Sequence, residues 1–127
     1  MAEDRKKILI VDDSAAVRSA VALMLRSGQY DCLEAEDGED ALRVLDREKV
    51  DCVVSDLHMP KLNGLEFLRQ MRMMAGYRFT PVLILTTDRV DENKAELRRA
   101  GATGVLSKPI QPEELASAVQ RAIAARP

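Results

Sequence analysis

ILIVDD, residues 8–13, sets four apolar residues in a row and closes them with two acids, and its reading decides the fold. A strand with one wet face alternates apolar and polar residues, whereas a parallel strand covered on both faces reads as an unbroken apolar run. Three further stretches share this form: VVSD (53–56), LILTT (83–87) and VLSKP (105–109). Ligands of open α/β sheets bind just beyond the carboxyl ends of the strands. If the four runs are neighbouring parallel strands, Asp12, Asp13, Asp56, Thr86 and Lys108 converge on one crevice.

The segments between the runs carry helical spacing, and strand–helix alternation with short connections predicts a parallel sheet covered on both faces. The first strand is Lys7–Val11. A helix follows from Ser14 to about Ser27, with Val17, Val21, Met24 and Leu25 on one side and Gly28 as a glycine cap. A second strand over Asp31–Ala35 leads to a helix from Gly38 whose apolar face is Ala41, Leu42, Val44 and Leu45. The third strand is Asp51–Ser55, and the loop Asp56–Asn63 leads to a helix from Gly64 to about Met74. Leu65, Leu68, Met71 and the stem of Arg72 face inward on it. Pro81 opens a fourth strand, Val82–Leu85, at a position that tolerates a missing N–H. The fourth helix, about Asp91–Ala100, is mostly polar and is closed by Gly101. Gly104–Ser107 is the last strand, and Pro112 starts a fifth helix carrying Leu115, Val119 and Ile123.

The totals set bounds. One domain over residues 1–127, with no output domain, is the natural reading of this length. A net charge of −2 leaves no electrostatic footprint for nucleic acid, and scarce aromatics offer no base-stacking platform. No run is long enough to cross a bilayer, and the start, MAEDRKKILIVDD, has too short an apolar stretch for a signal peptide, which predicts a cytoplasmic protein. Cys32 and Cys52 lie inside strand-like runs and read as small buried hydrophobes. Met71, Met73 and Met74 read as core filling with one or two exposed positions.

Taken singly, the polar residues have ordinary readings. Asp13 or Ser14 serves as a helix N-cap, but one cap leaves a second adjacent acid unexplained. Two close carboxylates repel, and a hard cation such as Mg²⁺, with its preference for oxygen ligands, relieves that repulsion. Asp56 alone is a turn or cap residue; beside a cation it is a carboxylate able to attack phosphorus. Lys108 can meet a phosphate oxygen as a point charge, and Thr86 or Thr87 can offer a hydroxyl to another. Together they would neutralise a transferring phosphoryl group.

The stretches ILIVDDS, DLHMPKLNGLEF, PVLILTTD and GATGVLSKPI together resemble the receiver domain of two-component response regulators, in the stand-alone, CheY-like chemotaxis type, over essentially the whole chain. The resemblance implies a (βα)5 doubly wound α/β fold, a parallel five-stranded sheet in the flavodoxin-like order 2-1-3-4-5. It implies Asp56 as phosphoacceptor for a sensor histidine kinase. Mg²⁺ would be held by Asp13, Asp56 and the backbone carbonyl of His58, with Asp12 acting through water. Thr86 would be the switch hydroxyl and Lys108 the phosphate-facing lysine, with a cis Lys108–Pro109 bond. Such a protein is not an enzyme but assists its own phosphorylation and dephosphorylation, as a monomer. Its target, such as a flagellar motor switch protein, reads the face built by the fourth helix, fifth strand and fifth helix; alternatively it is a phosphate sink or relay intermediate without a target. Val105 stands where the family places a switch aromatic. His58, the only histidine, flanks the site; its simplest role is to lend its backbone carbonyl, and the sharper alternative is that its side chain, with Asp88, controls water access. The DDSAA stretch does not fit the DxDx(T/V) arrangement of haloacid-dehalogenase-type phosphatases, and no Ser/Thr/Gly-rich loop supports a flavodoxin. With the fifth helix as the last element, no helix-turn-helix output is expected.

Overall fold

The computed structural model describes residues 5–88 and 90–125. Strands β1 (Lys7–Val11), β2 (Asp31–Ala35), β3 (Cys52–Asp56), β4 (Val82–Thr86) and β5 (Gly104–Ser107) alternate with helices α1 (Ala15–Met24), α2 (Gly38–Arg47), α3 (Gly64–Arg72), α4 (Val90–Ala100) and α5 (Pro112–Ala124). All neighbouring strands are parallel, in the order β2-β1-β3-β4-β5. Fold and order are those expected from the sequence.

The unbroken apolar runs are explained by two cores, one on each face. Leu9, Val11, Val53, Val82 and Ile84 point to the side covered by α2, α3 and α4. Ile8, Ile10, Val54, Leu83 and Leu85 point to the side covered by α1 and α5. β3 and β4 are buried along their whole lengths, which makes them the rigid centre of the sheet.

Several local expectations need correction. Ser14 is the cap of α1, its side chain accepting from Val17 N, so the helix begins at Ala15. It ends at Met24, and Arg26–Gly28 form a 3-10 turn rather than a last α-turn. The left-handed residue is Gln29, at φ 57°, not Gly28. Gly28 is small for another reason: a Cβ there would fall on the Tyr30 ring. β3 starts at Cys52 and includes Asp56, and β4 includes Thr86. α3 stops at Arg72, and its buried stripe is Gly64, Phe67, Leu68 and Met71, with Leu65 only half-buried. α4 starts at Val90, one residue early, and among its described side chains Leu97 is buried. Of the methionines, Met71 is buried and Met73 fully presented to solvent, as expected.

Cys32 and Cys52 both pair in register with Ile8, from opposite sides. Two strand spacings, roughly 9.6 Å, therefore separate them, too far for a disulfide. Burial pushes the Cys52 thiol up to about 12, which makes it an inert core residue; Cys32 is only half-buried.

The stem of Arg72 does face inward, and its guanidinium ties two loops together, the α3–β4 and the α4–β5 connections. It donates to the carbonyls of Tyr77 (2.9 Å), Thr80 (2.6 Å) and Gly101 (2.6 Å). Arg72→Met is expected to destabilise the chain by about 2–3 kcal/mol, because part-buried carbonyls lose charged donors. Urea unfolding measures it. At Gln29, replacement by Gly should instead stabilise by about 0.5 kcal/mol, the relief of a left-handed side-chain residue less the added freedom of the unfolded chain. The same titration tests the sign.

Candidate functional site

The site lies where the sheet changes direction. β2 is added on one side of β1 and β3 on the other, and the crevice beyond their carboxyl ends is the switch point of this topology. Asp12 and Asp13 follow β1, Asp56 ends β3, Thr86 ends β4 and Lys108 follows β5. Gly64 lets α3 start directly against this edge: a Cβ there would come within 2.5 Å of the Asp56 carbonyl oxygen and 2.9 Å of Leu57 Cα. The Asn63–Glu66 capping box fixes that start from the loop side.

Asp12, Asp13 and Asp56 each offer a carboxylate oxygen, and the three atoms lie within 4.8 Å of one another. Lys108 Nζ bridges the buried pair, 3.1 Å from Asp56 Oδ1 and 3.5 Å from Asp12 Oδ2. The Lys108–Pro109 bond is cis. Burial pushes the Asp56 carboxyl above its ordinary value. Lys108 pulls it back by hydrogen bond and charge, Asp12 pushes it further up by like charge, and the net direction is upward.

Thr86 is buried, and its Oγ1 accepts the backbone N–H of Asp88 at 2.9 Å. Its hydroxyl is thus bound to its own loop, with the proton left to donate elsewhere. His58 is exposed and donates Nε2–H to Asp88 Oδ2 at 2.7 Å, since a carboxylate can only accept. Asn93 Nδ2 reaches the same oxygen at 2.9 Å. His58 and Asp88, named together from the sequence as flanking the site, are thus in contact, joined by Asn93, which sequence reasoning did not single out. Arg18 was missed too. It donates to the Asp12 carbonyl at 2.6 Å and to Glu34 at 2.8 Å.

A divalent metal fits the donor set. Three oxygen ligands cluster tightly, and Asp12 Oδ2 is buried without a hydrogen bond among the described residues. Hard cations take such oxygens and keep water in the remaining positions. Asp12, Asp13 and Asp56 would hold it, with the His58 carbonyl as the further oxygen the resemblance implies.

These features define a class: flavodoxin-like α/β proteins with an acidic, lysine-bridged pocket at the switch point. The profile of the response regulator receiver domain matches residues 8–120, and the chain belongs to that family. It is 36% identical over 118 residues to the protein PilH of Pseudomonas aeruginosa, covering 93% of this chain and 98% of PilH. The structure of the chemotaxis protein CheY4 of Vibrio cholerae superposes with a TM-score of 0.88 at 41% identity, covering 93% of this chain and 98% of that one. The receiver domain of the sensor histidine kinase PA1611 of Pseudomonas aeruginosa, solved with a magnesium ion coordinated in its active-site cleft, gives a TM-score of 0.86 at 29% identity, covering 95% and 99%. Other curated relatives are longer. The chain spans 15% of the Xanthomonas campestris sensory/regulatory protein RpfC and 47% of the Bacillus subtilis regulator PhoP. Receiver domains bind Mg²⁺ at an acidic pocket, are phosphorylated by histidine kinases and act on downstream targets. Among the described residues no helix is long and apolar enough to cross a membrane.

Proposed function

We propose that Asp56 accepts a phosphoryl group from the phosphohistidine of a sensor histidine kinase, and that the acyl phosphate switches binding of a downstream target in chemotaxis or motility. The chain acts in the cytoplasm as a non-enzymatic phosphoacceptor. The observation that supports this most is the placement of the Asp56 carboxylate at the end of the central strand, between Lys108 Nζ at 3.1 Å and the acids Asp12 and Asp13.

The Asp56 oxygen attacks phosphorus, the P–N bond breaks, and the kinase imidazole leaves. Bound Mg²⁺ supplies charge neutralisation for the phosphoryl oxygens. Lys108 meets another of those oxygens, and Thr86 donates a hydrogen bond from its hydroxyl to a third; turning toward the phosphate costs it the hydrogen bond it accepts from the Asp88 N–H. In the reverse half, water attacks phosphorus, the P–O bond to Asp56 breaks and phosphate leaves. Incubation with acetyl phosphate and either Mg²⁺ or EDTA tests the reading. Mg²⁺-dependent labelling is expected; no labelling in either arm would reduce the pocket to a phosphorylation-independent binding module.

A second reading, a phosphate sink or relay intermediate without a dedicated target, is favoured by Val105. It is half-buried in the floor of a cleft of about 310 Å³ between α4, β5 and α5, and a branched aliphatic cannot reproduce the swing of a ring. Pull-downs with and without a phosphoryl mimic separate the two, since only a switch has a state-dependent partner.

The His58–Asp88 bond spans the two loops flanking Asp56 and screens the approach of water. His58→Ala is expected to shorten the life of the acyl phosphate several-fold, on the order of one hydrogen bond's worth of loop ordering. Phosphate release from the labelled chain measures it, and an unchanged rate would leave His58 with its backbone role alone.

A further inference from the structure

Arg18 stands outside the carboxylate cluster, yet it is built into the turn that carries it. Only 16% of its side chain is exposed. Nη1 donates to the Asp12 carbonyl at 2.6 Å and Nε to Glu34 Oε1 at 2.8 Å, so the guanidinium spans α1, the end of β1 and β2. The other polar groups of Asp12 are committed as well. Its N–H donates to Ala35 O at 3.1 Å, and its Oδ1 accepts from Ser14 N at 2.9 Å. One atom is left, Oδ2, which is buried, carries no hydrogen bond and lies 3.5 Å from Lys108 Nζ in the acidic cluster. The carbonyl that Arg18 holds belongs to the same rigid plane as the Asp13 nitrogen. Its orientation therefore helps fix the placement of one carboxylate relative to the other.

We propose that Arg18 is the positioning residue of the metal pocket: by holding the Asp12–Asp13 peptide it sets both carboxylates for a divalent cation, with Glu34 as its counter-charge. The inference rests on the Mg²⁺ reading given under Proposed function. Arg18 acts on a bound cation in two opposed ways. Its charge repels the metal, and its hydrogen bond arranges the ligands. Residues that orient metal ligands through a hydrogen bond change affinity by about tenfold or more when lost. Lysine keeps the charge but not the fork that reaches carbonyl and carboxylate together.

Calorimetric titration with MgCl₂ of the native chain, Arg18→Met and Arg18→Lys separates the two effects. If position governs, both variants weaken Mg²⁺ binding by about tenfold. If charge alone governs, Arg18→Met binds more tightly and Arg18→Lys is unchanged. Tyr77→Phe serves as the control for general destabilisation. It loses the hydroxyl bonds to Glu48 O and Val50 N at the opposite end of β3, and its Mg²⁺ affinity is expected to stay native although urea unfolding shows it less stable. A native chain that takes up no Mg²⁺ overturns both the metal reading and this inference. Native binding with unchanged or tighter binding in either Arg18 variant, or with an equal loss in Tyr77→Phe, overturns this inference alone.

Discussion

Asp56→Asn is expected to abolish labelling by acetyl phosphate while making the metal-free chain more stable at neutral pH. The first half follows from chemistry: an amide oxygen carries no anionic lone pair to form the acyl phosphate. The second half follows from the pocket's electrostatics. Burial, the largest influence on Asp56, holds its carboxyl above the ordinary 3.8 even with Lys108 at 3.1 Å. The folded state thus binds this proton more tightly than the unfolded chain. The stabilisation that follows is fully present below the ordinary carboxylate value and is lost as pH rises through the raised one. At neutral pH the native fold bears an ionised group it disfavours, and asparagine removes that burden. Urea unfolding in EDTA should place the variant above the native chain at pH 7, with the gap narrowing toward about pH 3. Saturating Mg²⁺ should reverse the ranking, because only a chain that binds the ion gains stability from it. Labelling that persists in the variant would place the phosphoryl group on another residue. A variant less stable in EDTA would mean that the Lys108 pairing outweighs the burial of Asp56.

The parts of this protein legible in its sequence are those set by continuous, local patterns. Apolar runs buried on both faces fixed the strand positions to within a residue, and Asp12, Asp13, Asp56 and Lys108 come together because parallel strands in one sheet share a carboxyl edge. Local competition was harder to read. Asp13 and Ser14 are equally good N-caps on paper, and the choice falls to Ser14 because Asp13 belongs to the acidic cluster. On α3, Leu68 and Met71 face inward as expected, but Phe67 completes the buried stripe and Leu65 lies at its edge. Gly28 has the composition of a cap but yields the left-handed position to Gln29, since the Tyr30 ring fills the space beside it. Contacts between distant residues left no local signature. Arg18 and Glu34 are separated by 16 positions, and Asn93 meets Asp88 from within α4.

Lys108→Met is expected to slow labelling by acetyl phosphate about 100-fold, the scale of losing one preorganised partner of a reacting oxygen, and at the same time to tighten Mg²⁺ binding. The two effects have one origin. Lys108 Nζ lies 3.1 Å from Asp56 and 3.5 Å from Asp12, on oxygens the metal would take. In the metal-free chain the ammonium is therefore a stand-in for the ion, and a bound cation must compete with it. Removing it leaves three carboxylates within 4.8 Å without a countercharge. The Asp56 carboxyl should then rise further, since both influences that lower it most come from Lys108. Leaving buried charge unpaired should destabilise the metal-free chain by about 3 kcal/mol. Mg²⁺ should restore more stability to this variant than to the native protein. Once phosphate is present the lysine has a new partner that methionine cannot replace, so tighter metal binding does not rescue the rate. Calorimetry with MgCl₂ and a labelling time course on the same sample read both quantities. Native labelling would remove Lys108 from the phosphoryl group, and weakened Mg²⁺ binding would mean that the lysine organises the carboxylates instead of competing for them.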